Sequence, residues 1–203
     1  MTNVKQAMTV LKSAENDHQD RKKALAELVE SGDPGAIPVI MAVAAGHGEN
    51  HRLRKAATAA LGEFRDPAAV AALIALRGVD DSKDVPIIAV KALGDLRDPS
   101  AVEPLILMAL SRAGCTPGNG FASGTDIIVD AFKLLRLEAI RALGKIDDPK
   151  TIGPLTFLAI TDLVDGIPHA ASAALRTTGW NAPPDLEDDG VWRRRSVAGW
   201  SGS

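Results

Sequence analysis

The chain has 203 residues, which is enough for one domain with a sizeable core and a short tail. Only 3% of the residues are aromatic and tyrosine is absent, so closely packed, alanine-rich helices are favoured over a β-sandwich or barrel. The formal net charge of −3 disfavours nucleic-acid binding, and the single cysteine, Cys115, excludes an intramolecular disulfide and a multi-thiolate metal site.

The hydropathy pattern predicts a protein without a membrane-spanning segment. No stretch reaches the roughly 18 uncharged apolar residues that a spanning helix needs. The N-terminal segment is also too polar to be the apolar part of a secretory signal. We therefore expect a cytoplasmic protein.

The dipeptide Asp-Pro marks an internal repeat. It begins at Asp33, Asp66, Asp98 and Asp148, so the copies are 33, 32 and 50 residues apart, and the last interval is one unit with 18 inserted residues. An Ala- and Leu-rich segment precedes each copy, and an apolar segment follows it. Each unit is therefore predicted to be a helix, a tight turn and a second helix, with Asp capping the second helix and Pro in its first turn.

Two other positions recur with the dipeptide. A leucine occupies one position of the first helix in every copy, including a degenerate fifth: Leu28, Leu61, Leu93, Leu143 and Leu175. A glycine follows it in three copies, where the first helix ends or a neighbouring helix approaches closely: Gly62, Gly94 and Gly144.

The shared pattern, A-x-x-A-L-G-x-[LF]-x-D-P-x-[AT]-[VI]-x-x-L, resembles the short HEAT-like repeats of the phycobilisome-lyase type over roughly residues 20–180. The resemblance implies an α-solenoid of the HEAT-like or armadillo type, a right-handed α-α superhelix, and usually protein binding. Some members of that family help to attach bilins to phycobiliproteins, but a repeat identifies an architecture better than a function.

The predicted fold is all-α, with a solenoid over residues 1–180. It consists of four helical hairpins, near 20–45, 52–78, 84–112 and 126–163, and a capping helix at 168–180. The cap has a first helix but no Asp-Pro, as expected of an element that closes the apolar end of a repeat stack.

The first helices of the hairpins are amphipathic. Their charged side chains are predicted to form the outer, solvated face of the stack. In the second and fourth units these are Arg52, Arg54, Lys55 and Glu63, and Arg136, Glu138, Arg141 and Lys145.

The second helices are almost uncharged and are predicted to line the concave side. Stacking should cover their flanks but leave a strip facing the groove, which helical spacing assigns to Met41 and Ala42, Ile74 and Ala75, Glu103 and Leu107, and Thr156 and Phe157. One interpretation is an apolar groove for a partner helix or extended segment. The other is that four tightly curved units bury these helices against one another.

The inserted residues, 112–126, are rich in Gly, Ser, Thr and Pro and are predicted to form a loop that contains Cys115 and Phe121. Long loops inside compact repeat arrays are uncommon and often functional. The loop is therefore either part of a binding face or a tolerated decoration of the stack.

The tail, residues 181–203, is predicted to be irregular or disordered. It nevertheless contains residue types that anchor protein interfaces: Trp192, Arg193, Arg194, Arg195 and Trp200. Three interpretations stay open: the tail is solvated, it docks on a partner, or it folds back into the protein's own groove.

The sequence favours a binding protein over an enzyme. The four histidines form no His-Glu pairs of the kind that HEAT-like di-iron hydroxylases use, and Cys115 has no base near it in sequence. We expect no catalytic residue, metal or cofactor.

The leading hypothesis is a non-enzymatic adaptor, scaffold or assembly factor that binds another protein, or a second copy of itself, through the apolar groove and the Gly-rich loop. The alternatives are a subunit of a bilin lyase or isomerase, or a chromophore-protein chaperone, and a structural component of a larger assembly.

Overall fold

The computed structural model describes residues 4–77, 84–111, 126–180, 186–188 and 192–194. These residues form ten α-helices and two short β-strands. The helices are α1 (Val4–Lys12), α2 (His18–Ser31), α3 (Ile37–Ala45), α4 (His51–Leu61), α5 (Pro67–Leu76), α6 (Asp84–Leu96), α7 (Val102–Leu110), α8 (Asp126–Ile146), α9 (Ile152–Thr161) and α10 (Ile167–Thr177). The strands are β1 (Leu186–Asp188) and β2 (Trp192–Arg194).

The helices are arranged in pairs and in two layers. Each odd-numbered helix packs against the even-numbered helix that follows it, from α1 with α2 to α9 with α10. Successive even-numbered helices also pack against one another and form the even layer, and the odd-numbered helices form the odd layer. The predicted all-α stack of helical hairpins is confirmed.

The pairing differs from the sequence analysis in one respect. The predicted hairpins joined two helices across an Asp-Pro turn. In the structure, most helices pack more closely against their other neighbour in sequence, to which a loop without Asp-Pro connects them. Helix α1, which was in none of the predicted hairpins, packs against α2 in this way. Apolar periodicity indicates which face of a helix is buried but not which neighbour covers it.

The Asp-Pro turns have the predicted capping geometry. In each copy an aspartate side-chain oxygen accepts a hydrogen bond from the backbone N–H two residues ahead, at 2.9 Å for Asp33, 2.8 Å for Asp66, 2.8 Å for Asp98 and 2.8 Å for Asp148. Proline stands in the first turn, where its missing N–H leaves no donor unpaired. This turn ends one layer and begins the other in every repeat.

The recurring leucines lie at the centre of the stack. Leu28, Leu61, Leu93, Leu143 and Leu175 are all fully buried. They belong to α2, α4, α6, α8 and α10, so one leucine from each even helix lies in a single continuous core.

The recurring glycines mark close approaches between even helices. A Cβ placed on Gly62 would lie 2.9 Å from the Cβ of Ala92, and one on Gly94 would lie 2.8 Å from the Cα of Ala142. Gly144 meets Ala174 of α10 in the same way. Gly94 and Gly144 are inside α6 and α8, so of the two predicted roles, close approach applies to all three glycines and the end of a helix only to Gly62.

The close approaches indicate how the stack curves. The backbones of α6 and α8 lie within 8 Å of each other at many positions, whereas those of α7 and α9 do so at only a few. In a curved stack of two layers, the more closely spaced layer lies on the inside. We therefore infer that the even layer is the inner one, which differs from the concave position predicted for the second, odd-numbered helices.

Two of the charged residues predicted to be solvated are in fact buried. Arg54 is only 4% exposed and Arg136 only 6%, and Arg21 of α2 stands at the equivalent position, 6% exposed. Each arginine Nε–H donates to a backbone carbonyl in the last turn of the preceding odd helix: that of Leu11, Ala44 and Ala109, respectively. The prediction was wrong for these two residues because a guanidinium can be buried when it satisfies carbonyls that a helix end leaves unpaired.

Arg21 and Arg136 also bind a carboxylate in a later loop. The guanidinium of Arg21 donates to both oxygens of Glu49, each at 2.7 Å, and Arg136 donates to Asp162. Glu49 follows α3 and Asp162 follows α9. Each arginine therefore connects the ends of two successive odd helices through one side chain.

The C-terminal tail departs from the irregular structure expected of it. β1 and β2 pair antiparallel, with Leu186 opposite Arg194 and Asp188 opposite Trp192, and the backbone of β2 lies against α9. Strands of three residues are too short to leave an alternating pattern in a sequence. We call the two strands the C-terminal ribbon.

Candidate protein-binding surface

The predicted strip lies on the odd layer and is apolar and exposed in its C-terminal half. Leu107 of α7 is 68% exposed and Phe157 of α9 is 51% exposed. Glu103 is also exposed, whereas Met41 of α3 and Ile74 of α5 are half-buried. We call the surface formed by these five residues the odd-helix strip.

The position within the repeat explains these exposures. Leu107 and Phe157 each stand nine residues after the Asp of their Asp-Pro, where the first two units have the exposed alanines Ala42 and Ala75. The residue two positions earlier is fully buried in every copy, at Ile40, Leu73, Leu105 and Leu155. Two residues along a helix turn the side chain by about 200°, so the ninth position points away from the even layer.

The size of the outward-facing side chains at this ninth position therefore differs between the two halves of the stack. Small alanines occupy the outward row in α3 and α5, and large apolar side chains occupy it in α7 and α9. Exposed large apolar residues at equivalent positions of neighbouring helices are characteristic of a binding surface, because isolated ones are common but aligned ones are not needed for folding.

A second group of exposed apolar residues was missed by the sequence analysis. Leu163 is 96% exposed and Val164 is 39% exposed in the loop between α9 and α10, and Leu134 of α8 is 44% exposed. The signal in the sequence was a Leu-Val pair between two aspartates, Asp162 and Asp165, outside any helical pattern.

The even layer presents paired charges on its surface. Lys145 contacts Asp95 at 2.6 Å, and Asp84 accepts hydrogen bonds from Lys55 at 3.0 Å and from His51 at 3.2 Å. The hydrogen bond from Lys55, followed by that from His51, holds the pKa of Asp84 below its ordinary value of 3.8. Charges neutralised in this way leave the odd layer as the more apolar of the two surfaces.

Metal-binding clusters and membrane-spanning helices are both absent from the described residues. Within them, no group of three or more His, Cys, Asp or Glu side chains is close enough to hold a metal ion. None of the helices in the same residues is both long and apolar enough to cross a membrane.

Comparison with known families agrees with the architecture. A family model described as HEAT repeats matches residues 5–85, and one described as PBS lyase HEAT-like repeat matches residues 85–111. The chain is a HEAT-repeat protein. A comparison with curated protein sequences finds no match.

The matches cover the N-terminal half of this HEAT-repeat protein, up to the end of α7. The further copies are supported by the structure, since α8 to α10 repeat the buried leucine, the Asp-Pro turn and the buried arginine. HEAT repeats commonly mediate contacts between proteins, because their stacked helices form extended surfaces.

The structure describes only some of the remaining predicted site residues of the HEAT-repeat protein. Trp192, Arg193 and Arg194 form β2, of which the backbone is described. Phe121, Arg195 and Trp200 lie outside the described residues. The structure thus brings the ribbon to the same helix as Phe157.

Proposed function

We propose that this HEAT-repeat protein is a non-enzymatic scaffold, adaptor or assembly factor that binds another protein through the odd-helix strip. The observation that carries the proposal is the exposure of Leu107 and Phe157, 68% and 51%, at equivalent positions of two neighbouring helices. Burial of both side chains by a partner would contribute roughly 1.5–3 kcal/mol each. Two such anchors are enough to locate a partner on the stack.

The spacing of the two anchors favours a helical partner. Packed helices lie about 8–10 Å apart, and residues i and i+7 of an α-helix are separated by about 10 Å along its axis. A partner helix that crosses α7 and α9 therefore presents side chains seven positions apart to Leu107 and Phe157. An extended strand fits the same two anchors less well, because residues three apart span about 10 Å but point to opposite faces.

The Gly-rich loop, residues 112–126 with Phe121, is proposed as a second part of this binding surface. It connects α7 to α8, so it begins at the end of the helix that carries Leu107. Insertions in repeat arrays often lie on the binding face.

The proposal is tested with the full chain carrying Leu107→Asp and Phe157→Asp. The matched control is Leu163→Asp, which places the same charge at a residue that is 96% exposed but away from the strip. Each protein is immobilised and exposed to host lysate, and retained proteins are quantified by mass spectrometry. We expect one partner to be retained by the wild type and the control and its affinity for the double variant to fall about a hundredfold or more.

The melting temperature of each variant serves as the check on folding, because both side chains are exposed and their replacement leaves the core intact. A double variant that melts like the wild type and still retains the partner with native affinity would contradict the proposal. If the captured protein is the chain itself, the scaffold is a self-assembling structural component.

A second candidate is a subunit of a bilin lyase or isomerase, or a chromophore-protein chaperone. The match of residues 85–111 to the PBS lyase HEAT-like repeat is the observation that favours it. A bilin absorbance band on the chain purified after co-production with the chromophore would distinguish this candidate from a scaffold.

A further inference from the structure

The odd layer has an open flank at its C-terminal end. α9 is the last helix of that layer within the described residues. Four residues after each Asp-Pro aspartate, the earlier copies have Ile37, Val70 and Val102, which are 2%, 4% and 1% exposed. The equivalent Ile152 in α9 is only half-buried, as expected of a residue that lacks a following odd helix.

The same flank carries two further residues one and two turns along α9. Ile160 is half-buried, and the Oγ1 atom of Thr156 is buried without a hydrogen-bond partner among the described residues. A buried hydroxyl in that state destabilises the fold. Such a group indicates a neighbour that covers the helix without forming the regular contacts of a stacked repeat.

The C-terminal ribbon is the neighbour that reaches α9. The backbone of β2 lies within 8 Å of that of α9, and β1 pairs with β2. The even layer, in contrast, ends with a helix, α10. The two layers are therefore closed by different kinds of element.

We propose that the C-terminal segment, residues 186–203, is an intramolecular ligand. Its ribbon takes the place of a sixth odd helix on α9, and the residues that follow Arg194 cover Phe157, which the ribbon leaves 51% exposed. The proposal rests on the proposed function, since it makes the binding surface self-occupied. A partner then binds by displacing the segment. The six residues from Arg194 to Trp200 span up to about 20 Å when extended, and packed helices lie about 8–10 Å apart, so Trp200 can reach the neighbouring helix α7.

Disulfide trapping in the full chain tests where the ribbon lies. In a Cys115→Ser background, Ile160→Cys is combined in turn with Trp192→Cys, Arg193→Cys and Arg194→Cys. Because alternate residues of a strand point to opposite sides, we expect the residues of one side of β2 to form a disulfide within the chain and those of the other side not to. The matched control replaces Ile160→Cys with Ala42→Cys, an exposed position of the same layer on α3.

The outcomes distinguish between the segments that could occupy this flank of α9. A disulfide within one chain supports the proposal. A disulfide that joins two chains would show that a second copy provides the ribbon, and no disulfide at any position would show that the segment does not dock there; either result overturns the proposal. This experiment needs no partner, so it can fail while the binding function of Leu107 and Phe157 stands.

The cover over Phe157 is tested with the fluorescent dye 1-anilinonaphthalene-8-sulfonate, which binds exposed apolar surface. The full chain with Trp192→Ser and Trp200→Ser is expected to bind several-fold more dye than the wild type. Adding Phe157→Asp should remove the increase, whereas adding Leu163→Asp should not. Dye binding that is unchanged by the tryptophan substitutions would overturn the proposal that this segment covers the strip.

Discussion

The buried arginines of three even helices, α2, α4 and α8, perform a structural function that resembles a cap. Arg21 satisfies the carbonyl of Leu11 at the end of α1 and binds Glu49 after α3. The same residue type stands twelve residues before the Asp of Asp-Pro in three copies, and Pro86 replaces it in the third. The periodic arginine was thus visible in the sequence, but helical periodicity alone assigned it to the surface.

The pair formed by Arg21 and Glu49 is expected to be important for stability. Arg21→Met removes three hydrogen bonds and leaves Glu49 unpaired, which should lower the free energy of unfolding by about 3 kcal/mol. Urea denaturation at neutral pH measures the change. Lys22→Met, on the exposed side of the same helix, is the matched control and should change it by less than about 0.5 kcal/mol.

The contribution of Glu49 should depend on pH. Hydrogen bonds from Arg21 hold the pKa of Glu49 below its ordinary value of 4.5. The stabilisation is therefore complete above that value and is lost as the pH falls through the lower, folded-state pKa. The difference in unfolding free energy between the wild type and Glu49→Gln should shrink over this acid range, and a difference that stays constant would contradict the assigned pairing.

At the scale of the helix, the recurring glycines set the distance between neighbours. Gly62, Gly94 and Gly144 each meet an alanine of the next even helix. The fifth copy has Arg176 at this position, and no further even helix follows α10 within the described residues. The second, third and fourth copies thus have glycine where the next even helix approaches closely, whereas the first copy has Val29 there although α4 packs against α2.

The same substitution should have opposite effects at two helical glycines. Gly94→Ala places a Cβ 2.8 Å from the Cα of Ala142, and because backbone must move, we expect a loss of about 1–3 kcal/mol of unfolding free energy. A Cβ placed on Gly153 in α9 would meet no described atom within 4 Å outside its chain neighbours and its own helical backbone. Gly153→Ala should therefore raise the unfolding free energy by about 0.5 kcal/mol through helix propensity alone.

Thermal or urea unfolding of both variants gives the comparison directly. If Gly94→Ala is as stable as Gly153→Ala, α6 and α8 are not held at the close distance that the structure shows. The layer spacing from which we inferred the inner side of the stack would then lose its support.

At the scale of the whole molecule, the main contacts between the described helices join neighbouring repeats. The two bridging arginines follow this rule, since Arg21 connects α1 to the loop after α3, and Arg136 connects α7 to the loop after α9. Stability in such a stack is approximately a sum of local terms. A substitution that destabilises one end of the stack should therefore leave the stability of the other end unchanged.

Arg136→Met tests this locality. We expect amide hydrogen exchange to accelerate in α8, α9 and α10, because the buried Asp162 loses its partner, while α1 to α3 keep wild-type protection. Arg141→Met, at an exposed position of the same helix, should leave the exchange pattern unchanged. A uniform acceleration from α1 to α10 would show that the stack unfolds as one cooperative unit instead.

The sequence by itself determined the repeating elements, because their signals are local. Asp98 and Pro99 define a turn through a side-chain cap and a missing N–H within three residues, and Leu93 follows from helical periodicity. The exposure of Leu107 and Phe157 was also correctly assigned from their distance to the Asp-Pro.

Only the tertiary structure decided which surfaces meet, because those contacts join residues far apart in the chain. It buried Arg54 and Arg136, which a single helix presents as surface charges, and it assigned Gly94 to a contact with Ala142 of another repeat. It also placed β2 against α9. Periodicity fixes the buried side of a helix, whereas the identity of the neighbour, the spacing of the layers and their curvature depend on how all the helices pack together.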